Sequence, residues 1–226
     1  MLRAVIHPAA FAGLLLAFLL GLAVRVAVQV ALAQRLLKHR VGSVLPHPRR
    51  DIDPFGAIAA ALGGTGWGRR APLPDTGWLV RRPGRRAAVL AAGPLAVIAV
   101  GLAVLAGYQL AYPDNGFLAI REPSDVLTGA PGPVIEQLWG SLGTGLLCFG
   151  VLALVPLPPL DGWWLAWLLS RQPGESSQKV RFWLEERNLG VVILLVFLVI
   201  PLGTRVPLLL VLLDVVATPL MRLAAW

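Results

Sequence analysis

One carboxylate stands where a carboxylate is costly. Asp161 closes the stretch Val155-Pro156-Leu157-Pro158-Pro159-Leu160 and is followed by Gly162, at the end of an uncharged run over 138–160. An acidic side chain at that depth in an apolar chain marks a functional site by default. Its oxygens could ligate a metal, hold a cation, or cap the free N–H groups of a helix that starts there. Capping is the preferred reading from local sequence, because Asp-Gly after Pro-Pro is a plausible helix start. Arg25 raises the complementary question. An arginine within an apolar helix costs on the order of 3 kcal/mol or more unless it snorkels, meets water or pairs. Asp161 and Asp214 are the two candidate counter-ions, and the sequence leaves both open, with a snorkelling Arg25 and a groove-facing Asp214 as the blander reading. The three histidines are His7, His39 and His47. A His39–His47–Asp161 metal site is conceivable, but histidines in a basic cluster are more often solvated. A single cysteine, Cys148, excludes an intrachain disulfide and a Cys-rich zinc site, and reads as a small apolar helix residue.

The elements that must position these groups are membrane helices. The chain has 226 residues and is 57% hydrophobic, above the roughly 45–50% of soluble domains. Its mean hydropathy is +0.73. Uncharged runs cover 9–24, 87–113, 138–160, 189–204 and 206–213. About 20 apolar residues cross a bilayer, and only helices or closed barrels satisfy the backbone there. The expected fold is an all-α polytopic membrane protein of about five to six spans with a re-entrant loop. The first run exceeds a usual signal-peptide core and reads as a retained anchor. Helices are expected at about 9–38, 86–112, 138–155, 161–170, 189–203 and 206–223. The apolar piece 55–63 is too short to cross and reads as re-entrant. The proline-rich loop 113–137 should be irregular. The chain reads as one membrane domain, 1–226, with a core over 1–170, a cytoplasmic amphipathic segment over 171–188, and a C-terminal hairpin over 189–226.

Charge sets the orientation. Eleven Lys and Arg residues lie from Arg35 to Arg86, whereas 112–137 holds Arg121 against Asp114, Glu122, Asp125 and Glu136. Positive-inside bias places the first segment in the cytoplasm and the second outside, in the cell membrane. The net charge of +8 then reflects topology and contact with anionic lipid. Nothing in it points to nucleic acid. Trp163, Trp164, Trp167 and Trp183 read as an interfacial belt, and Gly93, Gly101 and Gly107 allow close helix approach.

Four local patterns, in order, resemble bacterial site-2 proteases, the intramembrane zinc metalloproteases. Pro156-x-Pro158-Pro159-Leu160-Asp161-Gly162 resembles that family's Asn-x-x-Pro-x-Pro-x-Leu-Asp-Gly motif. His47-Pro48-Arg49-Arg50-Asp51-Ile52-Asp53-Pro54-Phe55-Gly56 resembles its Asn-Pro-x-x-His-Ile-Asp-Pro-Phe-Gly loop. Gly66-Trp67-Gly68-Arg69-Arg70-Ala71-Pro72-Leu73-Pro74 is similar to its Gly-Trp-Ala-Lys-Pro-Val-Pro-Val stretch, and Ala92-Gly93-Pro94 to its Ala-Gly-Pro. The resemblance covers about residues 20 to 170. It implies a helical core whose first helix carries His-Glu-x-x-His. There the two histidines and the Asp of Leu-Asp-Gly hold zinc, and the Glu is the general base.

The chain departs from that pattern at its chemistry. Counting back from Arg40-Val41-Gly42-Ser43, the His-Glu-x-x-His positions are Val30, Ala31, Leu32, Ala33 and Gln34. Ala153 and Val97 stand where the family has Asn, and Asp51 where the loop has His. Asp161 is the one surviving ligand type. The implied reading is a catalytically inactive relative without a cofactor, which binds or assembles a membrane protein partner. Arg25, Pro156, Pro158, Asp161, Gly162 and Asp214 would form its groove or its support. Two alternatives stand beside it: an active zinc metalloprotease with unusual ligands, and a small-solute transporter using Arg25, Asp161 and Asp214.

Overall fold

The computed structural model describes residues 2–37, 47–69, 83–114, 116–129, 131–169, 174–201 and 206–224. After a 3-10 turn, Leu2–Ile6, the first helix α1 runs over Pro8–Leu37. Thirty residues rise about 45 Å, beyond the hydrocarbon thickness, so α1 must tilt or protrude. A short α2, Pro48–Asp51, leads to α3, Pro54–Gly63. The long α4, Pro83–Ala111, follows, then α5, Phe117–Ile120, α6, Pro123–Thr128, and α7, Val134–Ala153. The last third holds α8, Asp161–Leu169, α9, Glu175–Arg181, a π-helical turn Phe182–Glu186, α10, Leu189–Val199, and α11, Leu208–Leu223. The fold is all-α. Among the described residues there is no strand, only the isolated bridges Ile52–Gly68 and Pro201–Pro207.

Three described helices, α1, α4 and α7, are long and apolar enough to cross a membrane. They pack against one another and form the centre of the molecule. Small residues let the backbones meet. A Cβ on Gly101 of α4 would lie 2.7 Å from the Leu147 backbone nitrogen of α7. Leu105, Leu146, Leu147, Phe149 and Leu152 fill the seam without exposed surface of consequence. The helices α10 and α11 have 11 and 16 residues. That is short of the roughly 20 a crossing needs, so by length three of the described helices qualify as spans.

The piece expected to be re-entrant forms α3. Its limits follow from its sequence. Asp53 accepts a hydrogen bond from the Gly56 N–H at 2.9 Å, Pro54 occupies the first turn, and Gly64, at φ 81°, closes the end with its N–H on the Ala60 carbonyl. Ten residues rise about 15 Å, half a bilayer core. The bridge between Ile52 and Gly68 folds the chain back on itself. Asp53→Ala removes that cap. The expected result is a loss of about 1 kcal/mol, local to α3, read as faster amide exchange over 54–63 with the rest of the protein unchanged.

The loop 113–137 corrects the expectation of irregular chain. Pro123 starts α6 rather than breaking structure, because proline tolerates a first helical turn. Phe117, Leu118, Val126 and Leu127 turn inward and are buried. The segment at 174–188 is helical. Arg181 bonds Glu185 at 2.9 Å and lies 5.6 and 5.2 Å above the Trp164 and Trp167 rings. Those two tryptophans therefore also tie α8 to α9.

Candidate functional site

The centre of the site is built by α1 and the start of α8. The run Pro156-x-Pro158-Pro159 cannot continue α7, so the chain turns there and begins α8 at Asp161. Tight turn bonds hold the bend: Leu157 N–H donates to Val155 at 2.8 Å and Leu160 N–H to Leu157 at 2.9 Å. Asp161 thus faces α1 at the level of Arg25.

Arg25 and Asp161 form a fork. Arg25 Nε donates to Asp161 Oδ2 and Nη2 donates to Oδ1, each at 2.6 Å. A third donor, Nη1, reaches the Arg69 carbonyl at 3.0 Å. One turn further along α1, Gln29 Nε2 donates to Asp161 Oδ2 at 2.9 Å and to the Leu90 carbonyl of α4 at 3.2 Å. All three side chains are buried, with residual exposures of 2%, 0% and 1% for Arg25, Gln29 and Asp161. The pair binds α1 to α8, and Gln29 carries the link to α4. Bidentate, charge-assisted geometry of this kind is the strong form of the interaction.

The 47–69 segment forms the wall behind Arg25. Its Arg69 N–H donates to the Asp51 carbonyl at 2.8 Å, while the Arg69 carbonyl takes Arg25. The Asp51 carboxylate accepts from the His47 N–H at 2.6 Å and from Arg50 Nε at 2.7 Å. Burial opposes its charge, but the bonds from Arg50 and His47 outweigh burial and hold it below the usual carboxylate range.

Several sequence expectations change here. The capping reading of Asp161 gives way to pairing, since both its oxygens are engaged by α1. Asp214 is not the partner of Arg25. Half-buried in α11, it accepts the Ser124 N–H at 2.8 Å and anchors the start of α6. The positions counted as the metal-ligand face, Val30, Ala31 and Gln34, are not those that meet Asp161. On a helix of about 100° per residue, residue 30 lies about 140° around from residue 25, and residue 34 about 180°. Val30 is buried elsewhere; Ala31 and Gln34 are half-buried. The count from Arg40 ran across 38–46, which lie outside the described residues, as does His39. His47 is exposed at the 47–69 segment, and His7 sits near Gln137, at 3.5 Å. Gly162 packs where a side chain would strike the Leu154 carbonyl. Pro156 and Pro158 serve the bend.

Gln29 is the site residue that sequence reasoning missed. The signal was there. Between residues 9 and 33 every side chain is apolar except Arg25 and Gln29, and their i,i+4 spacing puts both on one face.

The donor set does not suit zinc. Zinc takes three or four N, O or S lone pairs at about 2.0–2.3 Å. Arg25 has no lone pair to give and carries a permanent positive charge. Asp161 supplies one carboxylate, already shared. Among the described residues no group of three or more His, Cys, Asp and Glu is placed to hold a metal ion.

Cavities also lie outside this centre. One, of about 230 Å³, is lined by Pro158, Pro159, Trp164, Leu184, Glu185, Asn188 and Val191. A larger apolar groove of about 480 Å³ runs between α4 and α7 beside Val104, Tyr112, Ile135, Leu138, Trp139 and Leu142.

The chain is 31% identical over 172 residues to a protein of Bacillus subtilis (strain 168) named "Putative zinc metalloprotease YwhC". The match spans 73% of this chain and 68% of the relative. No protein-family model matches the chain, and no solved structure matches it.

Proposed function

The chain belongs to the site-2 protease-like family of membrane metalloproteases, and from that premise we propose that it is a non-catalytic member that binds or assembles a partner membrane protein without cutting it. The observation that carries this reading is the Arg25–Asp161 fork. Hydrolysis of this type needs a metal-activated water and a general base. Here the carboxylate that a metal would need is neutralised by an arginine with which it shares two hydrogen bonds. The residue beside Arg25, Val26, offers no base. Around this filled site stand three apolar helices and an apolar groove between α4 and α7 whose chemistry suits an apolar segment of another protein. In this reading the protein sits in the cell membrane with its basic loops in the cytoplasm, against anionic lipid.

Two measurements test it. Metal analysis of protein extracted in mild detergent should find zinc far below one per chain, and no change in Asp161→Ala. Stoichiometric zinc that disappears in the variant would restore the zinc metalloprotease reading. Photo-crosslinkers placed at Ala31 and at Leu138, in intact membranes, should trap a discrete membrane protein. Capture of lipid alone from both positions ends the partner proposal.

A further inference from the structure

The filled site has a specific shape. Two residues one helical turn apart on α1, and one carboxylate from a distant helix start, meet at a single point. Helix-borne zinc sites use that arrangement: side chains at i and i+4 plus a third donor from elsewhere. At positions 25 and 29 this chain has arginine and glutamine instead of nitrogen ligands. What remains constant is a cation against the carboxylate. We propose that the Arg25 guanidinium occupies the metal position as a built-in cation, so that residues 25 and 29, not 30 and 34, are the chain's metal-ligand face.

Three features support this assignment. The guanidinium is centred on Asp161 by two bonds of equal length, 2.6 Å, as a cation shared between two carboxylate oxygens would be. It is supported from behind by the Arg69 carbonyl, which accepts Nη1 at 3.0 Å. Gln29 Oε1 is buried with no hydrogen-bond partner among the described residues. A buried orphan acceptor is uncommon, and this one lies on the side chain whose other amide atom already touches Asp161. It is an acceptor left over at a point where a ligand would use one.

The inference rests on the reading that the native chain holds no zinc, and the test separates the two. Arg25→His/Gln29→His is compared with Val30→His/Gln34→His, each expressed in zinc-supplemented cells and purified for metal analysis. The first variant should gain one zinc per chain, lost again when Asp161→Ala is added; the second should gain none. If the wild type itself carries zinc that Asp161→Ala removes, the non-catalytic reading falls, and this inference with it. If the wild type is zinc-free but the 25/29 variant binds no more zinc than the 30/34 variant, the inference alone is overturned. If the 25/29 variant is not recovered folded, thermal unfolding of Arg25→Leu, Asp161→Leu and the double variant decides. The proposal requires each single change to lower the melting temperature and the double to melt above both. A double variant at or below the worse single overturns it.

Discussion

Arg25→Leu should cost about 3–5 kcal/mol of stability, the range for removing one partner of a buried ion pair. The size comes from what is left behind. Among the described residues Asp161, 1% exposed, would retain only the Gln29 amide, with its charge buried in the centre of the protein. Leucine fills much of the volume but returns no donor to the carboxylate or to the Arg69 carbonyl. Arg25→Lys should fall between the two. An ammonium keeps the charge and loses the planar fork that meets both oxygens at once. Thermal unfolding in detergent, with protease resistance in membranes as a second readout, measures the series. An Arg25→Leu protein as stable as the wild type would mean that the fork does not hold the native helices together.

The large elements were legible in the sequence for a simple reason. In a bilayer, apolar length alone dictates a helix, so α1, α4 and α7 stand close to where the uncharged runs place them. The limits of α3 were also written locally, in Asp53-Pro54 and Gly63-Gly64. The order in 113–137 was less legible, because proline can either break a helix or open its first turn, and Pro123 opens α6. The identity of the ion pair was not legible. Arg25 and Asp161 are 136 residues apart, and choosing between Asp161 and Asp214 requires knowing that α8 rather than α11 faces α1 at that level. The register of the site failed for a related reason. Counting from Arg40 assumes that the chain beyond α1 is as long here as in the family pattern. The helix periodicity of α1, in which only Arg25 and Gln29 break an apolar run, carried the better information.

Gly162→Ala should be as damaging as loss of the ion pair, although it removes no contact. Its Cβ would lie 1.9 Å from the Leu154 carbonyl oxygen, 2.3 Å from the Leu154 carbonyl carbon and 2.5 Å from the Val155 oxygen. All three are backbone atoms in the bend after α7, so no side-chain rotation relieves the clash. Either the bend opens or the start of α8 moves. Movement of α8 carries Asp161 with it, and a fork of two 2.6 Å bonds does not survive a shift of an ångström. The clash and the weakened pair together should cost about 3 kcal/mol or more, at or beyond the upper end for overpacked sites. Gly84→Ala is the control. It lies in the first turn of α4, with no atom of the described residues within 4 Å of an added Cβ. There alanine should be neutral or stabilise by up to about 1 kcal/mol, through its better helix propensity. The two variants differ by the same single methyl group. Similar melting temperatures for both would show that the chain has room behind Asp161, and that the bend does not fix its position.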